Sequence, residues 1–165
     1  MADSHTTKKA LAQALKECMQ EEAFCKISVS ELCEKCHMNR KSFYYHFRDK
    51  FDLLNWIFDN EFDDILEEHE DLWKVTEELC LYLNENKSFF KKAMKVEGQN
   101  CFRSYFKERL TEFYDLQMSM IYFPADKFKA RFYADSIVLA IARWMGRSDC
   151  DANELVTKLI ECMTL

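Results

Sequence analysis

Two glycines and one proline in 165 residues leave this chain very little with which to turn. The two residue types usually make about 12% of a protein; here they make under 2%. An all-β chain needs Gly, Asn-Gly or Pro at each of many hairpins, so that class is excluded. Gly-rich phosphate loops fall with it, because Gly98 and Gly146 alone cannot write a dinucleotide fingerprint or a P-loop. Apolar residues make 48% and charged residues 32%, which excludes general disorder. The expectation is an all-α protein of about nine helices.

The net charge of −6 argues at first against nucleic acid, but its distribution is uneven. Residues 1–50 carry net +2, 51–100 net −8, and 101–165 net zero. Within the first third, Arg40, Lys41, Arg48 and Lys50 stand against Asp49 alone between positions 37 and 50. Phosphates respond to such a local patch, since screening confines charge to about 8 Å. From Asp52 to Asp71 there are nine acidic residues and no Lys or Arg, read as a solvated face that repels DNA.

Eight cysteines in a secreted chain would suggest disulfides. The N-terminus shows no apolar signal core, and the longest apolar run, Ile137–Ala142, is far too short to span a bilayer. The expectation is a cytoplasmic protein with reduced, mostly buried cysteines and no membrane partner. Cys33-Glu34-Lys35-Cys36-His37 matches a c-type haem attachment string, which needs export and an axial ligand. The plainer reading puts Cys33 and Cys36 at the inward i and i+3 positions of a short helix. No second ligand pair at zinc-site spacing exists. A helical redox or metal-binding protein built on Cys33, Cys36 and His37 is the alternative function; no cofactor is expected on the main reading.

Apolar periodicity places helices at about 6–24, 28–36, 40–46, 50–71, 72–86, 88–97, 100–122, 125–145 and 152–163. Ser28-Val29-Ser30-Glu31 is a capping box, and Asn39 is a good N-cap for the third helix. Gly98 and Gly146 sit where C-caps are expected, and Pro124 interrupts two long segments. The chain divides into 1–50, a three-helix unit, and 51–165, a helical bundle joined to it through the fourth helix.

Two short helices separated by His37-Met38-Asn39 make a helix–turn–helix, whose second helix projects its N-terminal residues into a major groove. Arg40 and Lys41 reach base acceptors or phosphates there, Asn39 and Ser42 offer shorter donors, and Phe43 and Phe47 face the core. Tyr44, Tyr45 and His46 present polar tips to phosphate oxygens, with Lys50 near the backbone.

The run Ser42-Phe43-Tyr44-Tyr45-His46-Phe47 followed by Asp49-Lys50, with Ile27-Ser28-Val29, Leu32-Cys33 and Leu53-Leu54 around it, resembles the DNA-binding domain of the TetR/AcrR family over about residues 6–56. The resemblance implies that Asn39, Arg40, Lys41 and Ser42 face bases. It implies that Ser28, Ser30, Tyr44, Tyr45, His46 and Lys50 hold the phosphate backbone. The family usually has Gly where this chain has His37, and a left-handed non-Gly residue costs about 1 kcal/mol, so a tighter or distorted turn is expected. Cys33 and Cys36 fill positions usually given to Ala. The segments Phe51–Phe62 and Ile141–Met145 are similar to a branch of dihydroxyacetone kinase regulators, which implies activation together with a protein partner.

In the second unit, Phe102, Phe106, Leu110 and Phe113 share a face of the seventh helix with Tyr105 beside it. Residue by residue they read more readily as core; together Phe102, Tyr105, Phe106 and Phe113 are the candidate pocket for a small apolar effector. Ile137–Ala142 is apolar on every side, so that helix needs covering on both faces. With Leu155 and Leu159 of the last helix, Ile137 and Ile141 are expected at an isologous four-helix homodimer interface that sets two recognition helices about 34 Å apart. No paired carboxylate or nucleophile–base signature marks an enzyme. The expected function is a dimeric, sequence-specific regulator binding a double-stranded DNA operator, controlled through its body by a small ligand or protein co-regulator.

Overall fold

A computed structural model describes residues 4–69, 71–98, 101–121, 126–147 and 151–163. Pro124 and Cys150, and the side chain of Met163, lie outside the described residues. The described residues form nine helices and no strand: α1 (Ser4–Glu21), α2 (Val29–Lys35), α3 (Arg40–His46), α4 (Lys50–Glu68), α5 (Leu72–Glu85), α6 (Lys87–Ala93), α7 (Phe102–Ile121), α8 (Lys127–Gly146) and α9 (Ala152–Met163).

Local chemistry starts most of these helices. The Ser28–Glu31 capping box is complete in both directions, and Asn39 Oδ1 accepts from the Ser42 amide at 2.9 Å. Asp49, Asp71 and Asp126 cap α4, α5 and α8, each carboxylate accepting two amides of the first turn. An Asp just ahead of an apolar-periodic run is a readable signal for all three. Gly146 is the last residue of α8, and extended Arg147 supplies the cap in its place. Gly98, with φ of +127°, lies in the loop beyond α6, whose cap is Met94.

α1 packs on α2, α3 and α4, and α2 packs on α3, burying Leu11, Leu15, Leu32, Phe43, Phe47, Leu53 and Leu54. α4 then continues into the body as one uninterrupted helix, and a single hydrophobic core runs through both parts. At its centre Phe58 stacks on Phe62 (ring centroids 5.1 Å apart) and meets the edge of Phe106 at 4.9 Å, while Phe102 and Phe106 stack at 5.8 Å. α7 and α8 form an antiparallel pair, and α9 lies on α5.

Two expectations change here. Phe102 and Phe106 are fully buried among these rings, and Phe113 packs against Phe62 and Tyr114. Tyr105 donates its hydroxyl to Asp59, away from the other three. The four do not converge on an apolar pocket, because α4 and α6 bring their own phenylalanines to the same face. Ile137, Ile141, Leu155 and Leu159 are also spent inside the chain, the first two on the inner face of α8 and the others on α9 against the core. The outer face of α8 shows Phe128, Phe132 and Leu139, which are 79%, 58% and 40% exposed.

Candidate nucleic-acid interface

The turn between α2 and α3 is set by hydrogen bonds that need a left-handed residue. The Met38 amide donates to the Cys33 carbonyl at 2.8 Å and the His37 amide to Glu34 at 3.1 Å, the paired bonds of a Schellman stop. His37 supplies the required backbone, with φ of +52°. The turn is therefore not distorted; the chain keeps its geometry and carries the strain. His37→Gly is expected to raise folding stability by about 1 kcal/mol, or about 2–4 °C in a thermal melt. A lower melting temperature would show that the exposed imidazole contributes more than its backbone costs.

α3 is oriented by Phe43 and Phe47, both buried, with rings 5.8 Å apart. Its opposite face carries Arg40, Lys41, Tyr44 and Tyr45, all exposed, Tyr45 to 83%. The Arg40 guanidinium donates to Ser30 Oγ on α2 and to the Tyr44 hydroxyl, both at 3.3 Å, and lies 5.8 Å from the Tyr44 ring centroid. Two of its five donors are thereby used to aim it, and three stay available. Lys41 makes no ion pair among the described residues. Ser28 and Ser42 are tied locally, Ser28 Oγ accepting from Glu31 and Ser42 Oγ donating to Asn39. His46 Nδ1 lies 3.4 Å from Ser4 Oγ, so α1 begins against the end of α3.

Lys50 corrects the expectation of a phosphate-holding cation. Its ammonium donates to the carbonyls of Phe24 (2.7 Å), Ile27 (2.7 Å) and Cys25 (3.3 Å), which uses all three N–H bonds. The Phe24 ring lies 4.7 Å away, and burial pulls the lysine pKa below its ordinary value. Lys92 of α6, which sequence reading left unassigned, does the same for the Met19 and Gln20 carbonyls at the end of α1. These two lysines satisfy the carbonyls around the α1–α2 loop, which is why α1 stops at Glu21 and not near residue 24.

Deeper in α4, Arg109 of α7 pairs with Asp59 (3.1 Å) and Asp63 (2.6 Å) and with Glu112 on its own helix. The alternative cluster does not assemble. Cys33 is buried, Cys36 Sγ donates to the Ala10 carbonyl, and His37 sits exposed in the turn. Burial raises the pKa of both thiols, and that of Cys80 to about 12. Among the described residues no group of three His, Cys, Asp or Glu is placed to hold a metal.

A helix–turn–helix head with a cationic α3 on an all-α body defines a transcriptional regulator. The family model described as bacterial regulatory proteins, tetR family, matches residues 9–57. A second, described as transcriptional regulator C-terminal region, matches 70–164. The chain belongs to the TetR family of bacterial regulators. The HTH-type dhaKLM operon transcriptional activator DhaS of Lactococcus lactis subsp. lactis (strain IL1403) is 35% identical over 100 residues, which are 59% of this chain and 54% of that protein. The match thus spans about half the length of that relative. Among solved structures, the dihydroxyacetone kinase operon activator DhaS aligns with a TM-score of 0.73 at 24% identity, over 96% of this chain and 94% of that one. A putative TetR-family regulator from Syntrophomonas wolfei aligns equally well, 0.73 at 14% identity over 98% and 95%. At these identities the likeness to solved structures is one of fold. No described helix is long and apolar enough to cross a membrane.

Proposed function

We propose that the protein is a dimeric, sequence-specific regulator whose α3 reads a major groove and whose DNA affinity is set by what its body binds. The observation that carries this reading is Arg40, held at the exposed start of α3 by Ser30 and Tyr44 with Lys41 beside it. A guanidinium aimed in this way suits the paired acceptors of a guanine edge, and Lys41 suits a phosphate or a second base. Asn39, Ser42, Tyr44 and Tyr45 complete that surface, with Ser28, Ser30 and His46 toward the backbone. Residues 1–50 act as the reading head and 51–165 as the sensing and pairing body, with α4 common to both. Likeness to an activator favours activation over repression, with a protein co-regulator or a small ligand at the body.

The test is to sequence the DNA fragments retained by the purified protein and titrate the selected site against salt. Binding is expected to favour a pseudo-palindrome and to weaken steeply with salt, and Lys41→Ala is expected to make the log–log salt slope shallower by about 1. Binding indifferent to sequence or to salt overturns the reading.

Pairing of two copies is supported by the outer face of α8. Phe128, Phe132 and Leu139 line a groove there with Arg131 and Asp135 at its sides. Across a two-fold axis Arg131 of one copy can meet Asp135 of the other, a carboxylate that also pairs with Lys107 of its own chain at 3.3 Å. Phe132→Asp is expected to shift sedimentation from dimer to monomer and to reduce operator affinity at least tenfold; a parent protein already monomeric at micromolar concentration removes the dimer from this account.

A further inference from the structure

A groove of about 650 Å³ opens where the α1–α2 loop meets the start of α4 and the end of α6. Its wall is apolar. Phe24 is buried, its ring edge-on to half-buried Phe51 at 5.0 Å between centroids, and Ala23 and half-buried Val96 continue the surface. A cavity of this size and lining, with a few placed polar groups, suits a small organic molecule.

Its charges are sorted by depth. Lys50 and Lys92, both half-buried, give their ammonium groups to backbone carbonyls, and neither makes an ion pair among the described residues. Carbonyl dipoles satisfy the donors and leave two positive charges without a counter-ion. Lys92 uses two N–H bonds, on Met19 and Gln20, and keeps a third. Lys95 follows three residues on, its amide donating to the Lys92 carbonyl at 3.1 Å, and its exposed ammonium makes no ion pair among the described residues. Three carboxylates also border the groove, but Glu21 and Glu97 are exposed, and Glu22 lies against Glu31, which raises its pKa. Water screens the exposed pair, whereas a charge interaction strengthens severalfold in the less polar floor. A negative group beside the half-buried lysines therefore gains more than the rim carboxylates take away. A second cation would be repelled there, and a neutral molecule would leave the lysines uncompensated.

We propose that this groove is a binding site for a small organic carboxylate, its head taken by Lys92 and Lys95 and its apolar part laid against Phe24, Phe51 and Val96. The occupant touches the α1–α2 loop and the end of α6 together, so its presence fixes the head on the body. This last consequence rests on the DNA-binding reading above; the binding itself does not.

Calorimetry on the full chain with 4-phenylbutanoate, and with 4-phenylbutanamide as the neutral match, decides it. Saturable binding of the acid is expected, at least tenfold tighter than that of the amide. Lys95→Glu, an exposed change, is expected to weaken it about tenfold while melting no lower than the parent. Cys25 reports the place, because its exposed thiol lines the groove, whereas Cys162, also exposed, is on α9. Saturating 4-phenylbutanoate is expected to slow alkylation of Cys25 by iodoacetamide at least fivefold and to leave that of Cys162 unchanged. Equal binding of acid and amide, no binding of the acid, parent-like affinity in Lys95→Glu, or an unprotected Cys25 overturns the proposal. A second titration follows the selected operator with and without saturating 4-phenylbutanoate. A change of threefold or more supports control of the head, and no change refutes that control. A protein that takes up the acid but binds no DNA under either condition refutes the regulator reading and leaves the site standing.

Discussion

Phe106→Ala is expected to cost about 3–5 kcal/mol of folding stability and to lower the melting temperature by roughly 10 °C. Phe106 is fully buried, its ring 4.9 Å from Phe58 and 5.8 Å from Phe102 between centroids, so deleting it removes transfer energy and leaves a void that three helices cannot close. Urea unfolding followed by circular dichroism measures this directly. A loss below about 1 kcal/mol would show that the ring borders open space, and the effector pocket first expected from Phe102, Phe106 and Phe113 would return as a candidate.

Lys50→Met is expected to be the second large effect, about 2–3 kcal/mol, because hydrogen bonds to a charged donor are the stronger kind and three carbonyls lose theirs together. The methionine keeps the apolar stem against Phe24. Two measurements separate this role from that of a phosphate contact. Urea unfolding should show the loss in stability. Operator titration of the folded fraction should show an unchanged salt slope, in contrast to Lys41→Ala. A stable variant with a shallower slope would restore Lys50 to the DNA surface.

The helical class and the head were legible because their signals are local. Ser28 and Glu31, Asn39, and the Phe43–Phe47 spacing each act within four residues of themselves, and each is found in its expected place. The His37 turn was legible as an oddity, since only a left-handed residue can close that stop. Helix ends were less so. α1 and α6 stop several residues before their apolar patterns do, α1 because lysines far away in sequence take over its last carbonyls.

The pocket and pairing residues were misplaced for a related reason. An apolar residue at helical spacing declares that it will be covered, and periodicity does not say by what. Phe102 and Phe106 are covered by Phe58 and Phe90, and Ile137 and Ile141 by the core inside α8, which leaves Phe128, Phe132 and Leu139 outermost. Lys50 shows the same gap for a charge: a cation beside a basic patch reads as part of the patch until its carbonyl partners, 23 to 26 residues earlier, are seen.

Composition, capping and spacing alone therefore determined an all-helical chain, the place of its helix–turn–helix and the outward face of α3, because those follow from interactions within one or two turns. Which side of α8 meets solvent, what Lys50 and Lys92 hold, and the groove between the α1–α2 loop and α6 were decided by tertiary packing. Each depends on groups brought together from distant parts of the chain, and no local pattern specifies which surface will lie against which.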